Sequence, residues 1–142
     1  MKPINNIFFI SLIIFALLYS CSKPEGCLDP NASNYDYDAK KSDGSCLYDM
    51  SFYANTIDHL PLYIFINGQL RDSLYCAWLY SEPKCGVDTF IYTSVGYIRC
   101  TANVPMHTGS HKVRVESRDG TIWEKTVKLS ENCVNVLISG PN

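Results

Sequence analysis

Two hydrophobic patterns follow each other along the chain. Near the N-terminus, an apolar run extends from Ile7 to Tyr19 with Ser11 as its only polar interruption. From Ser51 onward, short runs of β-branched and aromatic residues alternate with turn residues, and no helical stripe of useful length occurs. The predicted strands are Ser51–Thr56, Leu62–Ile66, Gln69–Tyr75, Tyr97–Val104, His111–Ser117, Thr121–Leu129 and Val134–Ile138. About seven short strands separated by turns predict an all-β fold, a small antiparallel β-sandwich.

Turn dipeptides set the expected connections between these strands. Asn67-Gly68 is a strong two-residue hairpin signal, because both residues tolerate the positive φ angles that such turns require. Asp119-Gly120 is expected to turn the chain between the next pair of strands.

The N-terminal apolar run predicts export and lipidation. A membrane-spanning helix needs about 20 apolar residues, so the run fits a signal-peptide core better than a membrane anchor. It ends in Leu18-Tyr19-Ser20-Cys21, which resembles the lipobox of bacterial lipoproteins. That resemblance implies cleavage before Cys21 and attachment there of a diacylglycerol and a further acyl chain such as palmitate. The alternative is an ordinary secretory peptide cleaved beside a cysteine.

These patterns divide the chain into three parts. Residues 1–20 are expected to be the lipoprotein signal peptide, residues 21–49 a lipidated N-terminus with a short acidic head, and residues 50–142 the β-sandwich domain. The head carries six acidic side chains and three lysines, whereas the body has eight acids and eight bases. Because no basic field exists, nucleic acid is excluded as a partner. We expect a protein of the bacterial cell envelope, in the outer membrane, held there by the lipid on Cys21.

Six cysteines remain when Cys21 is set aside as the lipid carrier. In an exported protein, an even set of this kind predicts disulfides before metal ligands. No Cys-x-x-Cys pair occurs, and none of the three histidines has ligand spacing with a cysteine. No metal and no cofactor are therefore expected at these residues.

The head, from Gly26 to Tyr48, resembles a recurrent motif of bacterial surface proteins that is similar to thrombospondin type 3 repeats. The matching letters are G-C-x-D-P-x-A-x-N-Y and, further on, D-G-S-C. We expect Asp29 to cap one helical turn that begins at Pro30, and Gly44 to adopt a positive φ. A Cys27–Cys46 bridge would stabilise this coreless segment by about 3 kcal/mol.

Calcium binding by the head is a separate hypothesis. Asp29, Asp36, Asp38 and Asp43 alternate in a way that resembles calcium-loop spacing. Ser42 stands where the motif usually has a further aspartate, and turn capping accounts for the same carboxylates. We favour the capping interpretation.

The C-terminal half resembles small β-sandwich modules of bacterial envelope lipoproteins. The residues that carry this resemblance are Gly109, His111, Val115, Asp119-Gly120, Trp123 and Cys133. The resemblance implies a transthyretin-like or immunoglobulin-like scaffold without catalytic residues. The four cysteines of the body allow three pairings, of which we favour Cys76–Cys100 within predicted strands and Cys85–Cys133 at loop edges.

No motif of nucleophilic, phosphate-binding or metal-dependent catalysis occurs, so the chain is not expected to be an enzyme. Ser110-His111 gives no triad signal, and we expect His111 to be exposed or to cap a strand. Trp78 and Tyr80 lie in an aromatic segment that could bind a sugar or a peptide. The alternative, which we favour, packs Trp78 against a disulfide in the core.

The expected role is therefore a non-catalytic structural or interaction function at a membrane surface. An envelope protein or a glycan is the expected partner. A carbohydrate- or peptide-binding module centred on Trp78 and a calcium-binding head are the alternatives.

Overall fold

The computed structural model of this protein describes residues 23–139, and this range contains eleven β-strands and no helix. The strands are β1 (Glu25–Gly26), β2 (Lys41–Ser42), β3 (Tyr48–Ala54), β4 (Leu62–Ile66), β5 (Gln69–Leu74), β6 (Phe90–Thr93), β7 (Gly96–Arg99), β8 (Ala102–Met106), β9 (Gly109–Ser117), β10 (Ile122–Leu129) and β11 (Val134–Ile138). The all-β prediction is confirmed.

Two sheets form the body. A four-stranded sheet has the order β10-β9-β4-β5, and all of its neighbours are antiparallel. A three-stranded sheet has the order β11-β3-β8, in which β3 and β8 are antiparallel. The pairing of β11 with β3 is parallel, unlike the antiparallel expectation. The chain reaches β11 from β10, which belongs to the other sheet, so no hairpin forces β11 to run against β3.

The core lies between these sheets because each strand turns alternate residues inward. Met50 and Phe52 on β3 and Ile64 and Ile66 on β4 are almost completely buried. They belong to one cluster to which both sheets contribute, and Leu129 of β10 lies in it as well. Shared burial of this kind defines a sandwich.

Most predicted strands form where the pattern places them. Leu62–Ile66 and Val134–Ile138 are observed with the predicted limits. The β4–β5 hairpin turns through Asn67 at φ 51° and Gly68 at φ 81°, as the two-residue hairpin signal requires. The predicted strand Tyr97–Val104 is instead two strands, β7 and β8, with Cys100 and Thr101 between them.

The head is a small parallel pair, β1 with β2, closed by side chains of the motif. Asn34 fixes the chain on both sides of Cys46, because its Oδ1 accepts from Leu47 N at 2.7 Å and its Nδ2 donates to Ser45 O at 2.8 Å. Gly26 has no room for a side chain, since a Cβ there would lie 2.9 Å from Asp36 Oδ2. Gly44 has φ 75°, which confirms its predicted turn.

The start of the head differs from the prediction in one respect. Asp29 caps the chain as expected, with its Oδ1 accepting from Asn31 N at 2.9 Å. The capped segment is not helical, however. It forms two successive turns, in which Ala32 N donates to Asp29 O and Tyr35 N donates to Ala32 O.

The head also packs on the body. Cys27 and Ala32 belong to the same buried cluster as the sandwich residues. Strand β3 begins at Tyr48, two residues before the expected start of the body at residue 50. The head is therefore one end of the sandwich core and not a free appendage.

Candidate binding surface

All six cysteines within the described range form disulfides, and the predicted pairing is confirmed. The bridges are Cys27–Cys46, Cys76–Cys100 and Cys85–Cys133. Cys21, the predicted lipid carrier, lies outside the described residues, as does the predicted signal peptide. Within residues 23–139, no helix is long and apolar enough to cross a bilayer.

The aromatic segment Tyr75–Tyr80 forms a loop and not a strand. Cys76 and Ala77 are adjacent in sequence and both buried, so the alternation of a strand is absent. The loop is fastened at Cys76 by its disulfide and at Trp78, whose backbone N donates to Ala54 O at 2.8 Å.

Trp78 lies outside the sandwich core, contrary to the core interpretation. Its ring is half-buried, and it is not among the residues of the buried cluster or of those packed against it. The indole Nε1 donates to Ser81 O at 2.8 Å, and the ring meets Tyr80 edge-on at a centroid distance of 4.9 Å. Trp78 thus stabilises its own loop, while Tyr80 is 74% exposed.

A second exposed aromatic surface is a ribbon that the sequence pattern did not predict. Strands β6 and β7 form an isolated antiparallel pair in which Phe90 faces Arg99 and Tyr92 faces Tyr97. These four side chains share one face of the ribbon, because cross-strand partners and alternate residues point the same way. Phe90 is 50% exposed, Tyr92 77% and Tyr97 75%. The rings of Tyr92 and Tyr97 meet edge-to-face at 5.3 Å.

A disulfide and a charged cluster join the ribbon to the loop and to β5. The Cys76–Cys100 bridge ties the Tyr75–Tyr80 loop to the residue that follows β7. The Arg99 guanidinium lies 2.7 Å from Asp72 on β5 and 3.7 Å from Asp88. We call the Tyr75–Tyr80 loop and the β6–β7 ribbon together the aromatic end.

The aromatic end and the head lie at opposite ends of the sandwich. Strand β3 leaves the head at Tyr48, which pairs with Met106, the last residue of β8. At the other end of β3, Ala54 O accepts a hydrogen bond from the backbone N of Trp78 in the loop. The ribbon joins β8 at its first residue, Ala102, which pairs with Phe52. Six residue steps along β3 separate the two ends by about 20 Å.

Carboxylates of the head accept hydrogen bonds from backbone N–H groups within turns. Asp36 Oδ1 accepts from Asp38 N at 2.9 Å, and Asp43 Oδ1 accepts from Ser45 N at 2.8 Å. The bond to Ser45 lowers the pKa of Asp43. Within residues 23–139, no three histidine, cysteine or acidic side chains are grouped so that they could hold a metal ion.

Asp29 has a second role beyond its turn. Its Oδ2 accepts from the Tyr48 hydroxyl at 2.6 Å, which connects the head to β3. This bond is the main cause that lowers the pKa of Asp29, and it raises the pKa of Tyr48 to about 12. Both carboxylate oxygens of Asp29 therefore have structural partners, Asn31 N at Oδ1 and the Tyr48 hydroxyl at Oδ2.

Histidines form two polar clusters elsewhere in the body. His59 Nδ1 lies 2.9 Å from Asp119 Oδ2, and Ser117 Oγ donates to the other oxygen of Asp119 and not to His59. The Ser117 bond is the main cause that lowers the pKa of Asp119. Of the two positions expected for His111, exposed or capping a strand, the exposed one is wrong, since the side chain is buried. Its Nε2 donates to His107 O at 2.8 Å, and its Nδ1 accepts from Asn67 Nδ2 at 3.2 Å. Neither cluster places a hydroxyl nucleophile against a histidine.

Comparison with known proteins finds similarity over a short stretch of the chain. No family model and no solved structure matches the chain. A stretch of 25 residues, 18% of the chain, is 68% identical to ribulose bisphosphate carboxylase/oxygenase activase A, chloroplastic, of Hordeum vulgare. A stretch of the same length is 64% identical to ribulose bisphosphate carboxylase/oxygenase activase 1, chloroplastic, of Larrea tridentata. The match spans about 5% of the length of either relative, so it bears on a short segment alone.

Proposed function

We propose that this chain is a lipid-anchored protein of the bacterial outer membrane that acts by binding and not by catalysis, with the aromatic end as its contact surface. The observation that carries the proposal is the face of Phe90, Tyr92 and Tyr97, which is exposed on a separate two-stranded ribbon. Exposed aromatic clusters are uncommon away from interaction sites, and tyrosines in particular act as anchors of interfaces.

The position of the ribbon supports an orientation in which the binding surface faces away from the membrane. A lipid on Cys21 would lie two residues before Lys23, the first described residue. From there the chain is fixed to the head at once, since Lys40 N donates to Pro24 O at 2.8 Å. The head would therefore lie next to the membrane, and the aromatic end would face away from it.

Charge also supports a binding role that does not rest on electrostatic attraction. The segment Thr89–Ile98 contains no charged side chain. Such a surface gains its affinity by burying apolar area, at about 25 cal/mol per Å² before the costs of association. The partner of this surface is accordingly an uncharged or weakly charged component of the envelope.

The anchor is tested by replacing the lipid-bearing residue. We expect Cys21→Ser to accumulate as an unprocessed precursor without lipid, because both processing and acylation depend on this thiol. Intact mass and partitioning into detergent measure the change. A mature-length product of Cys21→Ser, cleaved and water-soluble, would exclude the lipoprotein assignment.

The binding surface is tested with the lipidated protein in nanodiscs on a biosensor, over which a delipidated extract of bacterial envelope flows. Tyr92→Ala/Tyr97→Ala should weaken capture about 30-fold, the effect of losing a hot spot of about 2 kcal/mol. Tyr37→Ala is the matched control, because Tyr37 is 80% exposed but lies in the head. Equal loss for the control, or none for the double variant at an unchanged melting temperature, would contradict the proposal.

A further inference from the structure

We infer that the aromatic end takes a neutral polysaccharide as its ligand, an inference that rests on the proposed binding function. The ribbon places two kinds of group side by side. Aromatic rings with open faces occupy its exposed side, and the Arg99–Asp72–Asp88 cluster lies at its base. A sugar chain offers the matching pair of chemistries, C–H faces and hydroxyl groups.

The rings match the apolar faces of sugars. A pyranose ring presents a face of C–H groups that carry partial positive charge, and the face of an aromatic ring is negative. The edge-to-face contact of Tyr92 with Tyr97 favours one relative orientation of the two rings, each of which is about three-quarters exposed. A preferred orientation before binding reduces the side-chain entropy that the rings lose when a ligand stacks on them.

The charged cluster matches the hydroxyl groups. Arg99 has five N–H donors, of which those nearest to Asp72 and Asp88 serve the ion pairs. The carboxylate of Asp88 is also fixed by Asn103, whose Nδ2 donates to Oδ1 at 2.9 Å. Arg99 and Asp88 remain partly exposed, so donors and acceptors stand together at a wet boundary. Neighbouring hydroxyls of a sugar donate and accept at once, which suits such a mixed pair.

The electrostatics favour a neutral chain over a charged one. The cluster contains two carboxylates for one guanidinium, so it has no excess of positive charge to attract an acidic polysaccharide. The rest of the ribbon, Thr89–Ile98, is uncharged. A peptide with several charged side chains would have to lose their hydration, and the Arg99–Asp88 pair could compensate at most one or two of these charges.

Two substitutions at one position separate stacking from general hydrophobic contact. Tyr97→Phe keeps the ring, so its affinity for the extract should stay within about twofold of wild type. Tyr97→Leu keeps apolar area but removes the aromatic face, and should bind about tenfold more weakly. If Tyr97→Leu binds as well as Tyr97→Phe, stacking on a sugar is excluded.

The source of the ligand is decided on the same nanodisc biosensor by treating the extract. Periodate cleaves the vicinal diols of sugars, and we expect it to abolish capture, whereas digestion with a protease should leave capture intact. Capture that survives periodate and is lost after protease would overturn the polysaccharide inference in favour of a protein ligand, while the binding function stands. Capture that does not depend on Tyr92 and Tyr97 at all would remove the proposed function itself.

Competition identifies the charge class. Soluble mannan, starch and dextran, which all contain vicinal diols, are neutral probes, and polygalacturonate is the acidic control. At least one neutral polysaccharide should displace the extract from wild type and not from Tyr92→Ala/Tyr97→Ala. Displacement by polygalacturonate alone would contradict the neutral ligand.

Discussion

Removal of the Cys27–Cys46 disulfide tests how the head is held on the sandwich. The head has few buried residues of its own, and its fold depends on Asn34 bonds that flank Cys46. Cys27 is also almost fully buried in the shared core. We therefore expect Cys27→Ala/Cys46→Ala to destabilise the whole domain, and not the head alone.

The magnitude follows from the length of the closed loop. The two cysteines are 19 residues apart, and their loop does not overlap those of the two body disulfides. The chain-entropy model gives about 3 kcal/mol for a loop of this length. Each of the body bridges lies partly within the loop of the other, so the same estimate cannot be applied to them separately.

Urea unfolding of the oxidised protein measures the effect. With a slope of about 1.5 kcal/mol per M, the loss of about 3 kcal/mol should lower the midpoint by about 2 M. Asn34→Ala leaves the bridge in place and serves as the comparison for the loss of packing within the head. A midpoint shift below about 0.5 M for the double variant would refute the coupling of the head to the core.

Three further predictions concern the body. Phe52→Ala should cost about 3–5 kcal/mol in urea unfolding, because Phe52 is fully buried between the sheets. Ser51→Ala should cost about 1–3 kcal/mol, since the buried Ser51 Oγ accepts from Gly86 N at 2.7 Å and its loss leaves that N–H without a partner. Asp49→Asn should raise the melting temperature at pH 7 but not at pH 3. Burial, aided by Asp88, raises the pKa of Asp49, so its ionisation costs stability as the pH rises above the unfolded value near 3.8.

Each of these three has a result that would contradict it. A loss below about 1 kcal/mol for Phe52→Ala would mean that the sheets do not enclose this ring. Wild-type stability of Ser51→Ala would mean that the Gly86 N–H finds another partner. A melting temperature for Asp49→Asn that falls at pH 7, or rises equally at both pH values, would mean that ionisation of Asp49 does not cost stability.

The strands of the sandwich follow from local sequence because their side chains repeat with the period of a strand. Ile64 and Ile66 alternate with half-buried aromatic residues, and Asn67-Gly68 gives the turn that follows. The predicted Cys76–Cys100 pairing is correct although its premise is wrong, because both cysteines lie outside the strands. The head also follows its motif, since Asn34 and Gly26 have contacts that no other residue type would satisfy as well.

The aromatic end did not follow from local sequence. Phe90 and Tyr92 are exposed, whereas Ile91 between them is half-buried, so the rule that large aromatic side chains are buried fails there. Tyr75–Tyr80 has strand composition, but the Cys76–Cys100 bridge and the Ala54–Trp78 backbone bond hold it as a loop. Both are long-range constraints. The repeated aromatic residues on either side of Thr93–Gly96 were the available signal for the ribbon.

Site-specific photocrosslinking in intact cells shows whether the aromatic end is the contact surface of the protein. A benzophenone amino acid placed at Tyr97 reports what touches the aromatic end, and the same group at the equally exposed Tyr37 reports what touches the head. We expect adducts of higher mass from position 97 after irradiation, and none of the same species from position 37. Adducts from position 37 with none from position 97 would contradict this expectation.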